Sequence, residues 1–89
     1  MRRARRVSAK SLKLGLEAIK NGERNAKVVI DIITKSLETE KLARIDYVSI
    51  VDNDNIQYID EIKGEILCAI TVYIGKTRLI DNFIYKCED

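Results

Sequence analysis

Gly75-Lys76-Thr77-Arg78-Leu79-Ile80-Asp81-Asn82 is the stretch from which the fold can be read. Gly75 can take the positive φ that a tight reversal demands. From Thr77 the residues alternate in type as a strand does, with Leu79, Asp81 and Phe83 on one face and Arg78, Ile80, Asn82 and Ile84 on the other. The segment therefore predicts a hairpin whose second strand runs from Thr77 to about Tyr85. Arg78, Asp81 and Asn82 fall within five residues of one another, and two readings of them stay open. They form a structural network, such as an Arg–Asp pair, or they face a ligand or a second domain. The Gly-Lys-Thr does not make a phosphate loop. That motif needs a second glycine five residues earlier, and Ile70 stands there.

Working upstream, Ile66-Leu67-Cys68-Ala69-Ile70-Thr71-Val72-Tyr73-Ile74 is apolar on both faces. It reads as a central strand, covered by helices on one side and open to cover by another domain on the other. Ile45 to Val51 reads as a further strand, begun near Arg44 and stopped by the turn formers Asp52-Asn53-Asp54-Asn55. An EF-hand beginning at Asp52 is excluded, because its sixth and twelfth positions are Gln57 and Lys63 rather than Gly and Glu. Ile56, Ile59 and Ile62 are expected to tuck against the body before Lys63-Gly64 turns the chain. The period differs in the first half. Ala9, Leu12, Leu16 and Ile19, widened by Leu14 and Ala18, predict a helix from about Arg3 to Asn21, stopped at Gly22. Gly15 weakens it by about 1 kcal/mol relative to Ala. A second helix opens on Asn25 as its cap and runs to about Glu40. Ala26, Val29, Ile30, Ile33 and Leu37 line its inner face, and Lys27, Asp31, Lys35 and Glu38 its outer one. The class is α+β: two N-terminal helices packed on a three-stranded, mainly antiparallel sheet, within a single domain over residues 1–89.

Composition excludes much chemistry. The 89 residues contain no His, no Pro and no Trp. Without His the commonest general base, the Ser-His and Cys-His pairs and most zinc sites are unavailable. Cys68 and Cys87 are too few and too far apart for a metal knuckle; Cys68 reads as a buried, inert thiol, and the Cys87-Glu88-Asp89 end as frayed. No apolar run approaches the roughly 18 residues of a membrane span, and the reading is cytoplasmic. The charge is uneven. Residues 1–20 hold seven basic residues, Arg2, Arg3, Arg5 and Arg6 among them, against Glu17 alone, while the whole chain carries only +2. Such an arm is a footprint of nucleic-acid binding and equally of a solvated helix face; no aromatic residue is interleaved with the arginines for stacking on bases.

Three stretches taken together resemble one family. They are Gly22-Glu23-Arg24 between the helices, Ile45-Asp46-Tyr47-Val48-Ser49-Ile50-Val51-Asp52, and Gly75 to Asn82. They are similar to the carboxy-terminal domain of the pantothenate synthetases, the pantoate–β-alanine ligases, over about Arg3 to Tyr85. The resemblance implies an ATP- and Mg2+-dependent enzyme of the coenzyme A pathway. It makes pantoyl adenylate with loss of pyrophosphate, and the amine of β-alanine then displaces AMP. It also implies an amino-terminal Rossmann-like catalytic domain with a His-x-Gly-His motif as partner, and a homodimer held largely through that domain. That motif and the family's Ser-Ser-Arg segment are absent here, so no catalytic residue carries over and no metal site is assigned. The expectation is a lid, inactive and without a bound cofactor by itself, with Lys76 and Arg78 facing ATP. The competing expectation is a small basic-armed module that binds nucleic acid or another protein.

Overall fold

The alternating segments form one antiparallel sheet in the computed structural model, which describes residues 2–87, with side chains from residue 8 onward. Its strands are β1 (Ala43–Asp52), β2 (Glu65–Ile74) and β3 (Thr77–Lys86), in the order β1-β2-β3. Two helices precede them, α1 (Arg2–Lys20) and α2 (Ala26–Glu38). The class and element order are those read from sequence, with ends differing by one or two residues.

Sequence-local chemistry sets the helix ends. The Gly22 N–H donates to the Ile19 carbonyl (3.0 Å) and the Glu23 N–H to the Ala18 carbonyl (3.0 Å), with Gly22 at φ 108°. This pair of bonds closes α1 through a left-handed residue. Arg24 adds its Nη1, which donates to the carbonyls of Ile19 (2.7 Å) and Glu23 (3.1 Å). Asn25 caps α2: its Oδ1 accepts from the Lys27 N–H at 3.0 Å.

Both helices lie on the same side of the sheet, with α2 against β1 and α1 against β3. The sealed core is built from Val29, Ile33 and Leu37 of α2, Ile19 of α1, Ile50 of β1 and Ile66, Cys68 and Ile70 of β2. Ile62 plugs one end. Its N–H donates to the Arg24 carbonyl (2.7 Å), while the Ala26 N–H donates to the Asp60 carbonyl (2.9 Å).

The expected inner stripe of α1 is rotated. Ala9 and Leu14 are exposed, and the buried positions are Ser8, Ser11, Leu12, Gly15 and Ile19. The reason is the closeness of the helix crossing. A methyl group on Gly15 would stand 2.6 Å from Cδ1 of Ile33, so only small side chains fit where α1 meets α2. The Ser11 hydroxyl, buried there, donates to Oγ of Ser36 at 2.9 Å. Ile56 also departs from expectation: it is exposed, at φ 52°, whereas Ile59 and Ile62 pack inward. Asp52 imposes this. Its Oδ1 accepts from the N–H groups of Asp54 (2.8 Å) and Asn55 (3.0 Å), and its carbonyl from the Ile56 N–H (2.7 Å), leaving Ile56 at the tip of a closed turn. Cys87 is not frayed, since its N–H donates to the Gly64 carbonyl (2.8 Å) and the residue is buried. The side chains of Arg2, Arg3, Arg5 and Arg6, on which the basic-arm reading rests, lie outside the described residues, as do Glu88 and Asp89.

Candidate functional site

Gly75 and Lys76 are the two central residues of the β2–β3 turn, between the paired Ile74 and Thr77. Gly75 alone of the two has positive φ, 62°, the signature of a type II′ hairpin. Alternation then carries Arg78, Ile80, Asn82 and Ile84 to the face away from the helices and Leu79, Asp81 and Phe83 to the face beneath them. Asp81 and Arg78 are therefore on opposite faces, and the Arg–Asp pair does not form. Asp81 instead turns toward α1. The Ser8 hydroxyl donates to its Oδ2 at 3.2 Å, and the Asn82 N–H donates to its Oδ1 at 2.9 Å. Of the three polar residues, two face outward and one is structural.

The outward face has a defined row pattern set by register. Tyr47, Thr71 and Ile80 form one row, Ser49, Ala69 and Asn82 the next, and Val51, Leu67 and Ile84 a third, which Tyr58 extends by a bridge to Val51. Its apolar side chains are not sealed. Tyr47 is 44% exposed, Ile80 56%, Ile84 57% and Tyr58 83%, whereas the helix-facing residues of β2 from Ile66 to Val72 are at 0%. At the centre of this open face Thr71 is wholly buried, and its Oγ1 has no hydrogen-bond partner. Central-strand cover on both sides, expected from the apolarity of β2, is thus met on one face only within this chain.

One end of the open face is cationic. Arg44, Tyr73 and Arg78 make the terminal row, and the Arg44 guanidinium lies over the Tyr73 ring, 4.9 Å from its centroid. Lys76 sits exposed in the adjoining turn, and the exposed Lys41 precedes β1 at the same end, where the Gly75 N–H donates to the Leu42 carbonyl (3.3 Å). Among the described residues neither Arg44 nor Arg78 has a carboxylate partner. Arg44 reaches this face through a β-bulge. The register shifts between Ile45 and Tyr47, so that Asp46 is extra and Ile45 rejoins Val48 and Ile50 on the core face. The sequence carries the signal in Ile45 and Val48, two core residues three apart in a strand whose period is two.

The Cys68 thiol offers no nucleophile. Burial pushes Cys68 from 9.0 up to about 12. Among the described residues no group of three or more Cys, Asp or Glu gathers as metal ligands, and no helix is long and apolar enough to cross a membrane.

The sequence model of the family described as pantoate-beta-alanine ligase matches residues 1–84. A pantothenate synthetase of Clostridium botulinum (strain Okra / Type B1) is 52% identical over 85 residues, 96% of this chain and 30% of that protein. One of Enterococcus faecalis is 49% identical over 79 residues, 89% of this chain and 28% of that protein. The crystal structure of pantothenate synthetase from Thermus thermophilus superposes with a TM-score of 0.78 at 19% identity, over 86% of this chain and 28% of that one. The chain thus spans about three-tenths of the length of the curated relatives it matches.

Proposed function

Since this chain belongs to the pantoate–β-alanine ligase family, we propose that it is the carboxy-terminal domain of an ATP-dependent enzyme that joins pantoate to β-alanine, a cytoplasmic step toward coenzyme A. In the proposed reaction the pantoate carboxylate attacks the α-phosphorus of ATP and releases pyrophosphate. The amine of β-alanine then attacks the acyl carbon and releases AMP. Residues outside this chain perform both displacements, because an 89-residue sequence without His has no visible group to activate a carboxylate. The part left to this domain is cover. An acyl adenylate is lost to hydrolysis unless water is kept out, and a lid does this while ordering the substrates.

The observation that carries the reading is the asymmetry of the sheet. One face is sealed by two helices; the other presents half-exposed Tyr47, Ile80 and Ile84, and cations at one end. A surface of this kind matches an interface with an amino-terminal catalytic domain. In this arrangement Lys76 and Arg78 would be turned to the phosphates of ATP, and the Mg2+ that would accompany those phosphates and offset their charge is assigned no ligand in this chain. The basic-armed nucleic-acid module is not favoured, since the family match covers nearly the whole chain.

The test is pantothenate formation by the 89-residue protein alone and by the same chain fused behind the amino-terminal portion of the Clostridium botulinum relative. The chain alone is expected to be inactive and the fusion active. Ile80→Lys and Ile84→Lys, on the open face, should impair the fusion, and Lys27→Glu, on the outer face of α2, should not. Turnover by the isolated chain, or a fusion that tolerates both open-face lysines, overturns the proposal.

A further inference from the structure

The cationic row at the end of the open face has a more specific chemistry. We infer that Arg44 and Arg78, flanking Tyr73, form a grip for an oligophosphate group, with Arg44 held ready by the ring beneath it. The inference draws on the lid reading only for the physiological source of the phosphates, ATP or the pyrophosphate it releases.

Three features lead to it. The first is convergence. Arg44 and Arg78 are register partners of Tyr73 from opposite sides, so their Cα atoms are about 10 Å apart across one intervening strand. The Arg44 side chain is exposed but reaches over the Tyr73 ring of the central strand, which brings its guanidinium toward the strand that carries Arg78. The second is charge. Like charges drawn to one row repel, and among the described residues no carboxylate compensates either; an anion bound between them removes that repulsion. The third is form. Guanidinium groups present paired N–H donors that match phosphate oxygens two at a time, and among the described residues no hydrogen bond occupies the Arg44 fork. Two such forks, with Lys76 and Lys41 near the same end, suit a polyanion of two or three phosphates better than a single carboxylate.

The spacing of Ile45 and Val48 signals the bulge, but no single stretch of sequence announces the row. Arg44 lies 34 positions from Arg78, and only the bulge at Asp46 turns it to the same face.

The experiment is a titration of the 89-residue chain, followed by amide NMR shifts, with tripolyphosphate, orthophosphate and citrate in turn. Tripolyphosphate should shift the amides of Arg44, Tyr73 and Arg78 saturably. It should bind about tenfold more tightly than orthophosphate or citrate, because both forks are then engaged at once. Arg44→Gln and Arg78→Gln should each weaken binding about fivefold or more, as expected for loss of a charge-assisted hydrogen bond. Tyr73→Leu should weaken it with both charges intact, and Tyr73→Phe should restore it. Shifts confined to residues 2–20, equal binding of citrate, or indifference to both arginine substitutions overturns the inference. Failure here with an active, open-face-sensitive fusion leaves the lid reading standing; saturable binding at this row with a fusion that ignores the open face removes the lid reading and leaves the site.

Discussion

Gly15 and Ile33 meet where the two helices cross, so closely that a single methyl group on Gly15 would stand 2.6 Å from Cδ1 and 2.7 Å from Cγ1 of Ile33. Ile33 is wholly buried and β-branched, so it has little freedom to turn away. Gly15→Ala should therefore lower stability by about 1–2 kcal/mol. Overpacking costs about 1–3 kcal/mol and outweighs the helix-propensity gain of about 1 kcal/mol. Urea denaturation checks this, and Ile33→Val, which removes the clashing Cδ1, should recover part of the loss in the double variant. A more stable Gly15→Ala protein would mean that the helices can separate without penalty.

Ile56 holds a left-handed backbone with a branched side chain, at φ 52°, and is 65% exposed. That conformation costs a β-branched residue about 1–2 kcal/mol, and Asn adopts it far more readily. Ile56→Asn should raise stability by about 0.5–1 kcal/mol, since little burial is given up. A lower melting temperature would show that the exposed side chain makes contacts that outweigh the strain.

Thr71 carries the one described buried side-chain oxygen without a partner. Thr71→Val keeps the shape and removes the unmet hydroxyl, so the isolated chain should gain about 1 kcal/mol. The hydroxyl is sealed by this chain's own side chains and out of reach of a second domain, so in the fusion with a catalytic portion the same substitution should leave pantothenate formation unchanged.

Cys68 makes stability depend on pH in a definite direction. Its folded pKa, about 12, lies above its ordinary value of 9.0. Below pH 9 the thiol is protonated in both states and contributes no slope. Between pH 9 and 12 the unfolded chain gives up the proton and the folded one keeps it, so stability falls by about 1.4 kcal/mol per pH unit. Cys68→Val should flatten that part of the profile. The native thiol should also resist alkylation at pH 8 until the protein is unfolded; rapid labelling of the folded chain would contradict the burial.

Much of this molecule was legible because its signals are local. The change of hydrophobic period at about residue 43, the Asn25 cap, the Gly22 stop and the Gly75 turn each depend on a few neighbouring residues. Backbone sterics, hydrogen bonding within one turn and side-chain periodicity act over that range, so two helices, three strands and their order could be read directly. The alternation of β3 likewise assigned Arg78, Asn82 and Asp81 to their faces. The tertiary structure decided what depends on distance between segments. It chose Ser8, Ser11 and Gly15 over Ala9 and Leu14 as the inner face of α1, because the separation of two helices is a property of both. It placed Asp81 under Ser8 rather than beside Arg78. Through the extra residue at Asp46 it set Arg44 beside Tyr73 of the neighbouring strand, in one row with Arg78. A one-residue change of register moves a side chain to the other face of a sheet, and register is set by packing of the whole layer, which no single stretch of sequence contains.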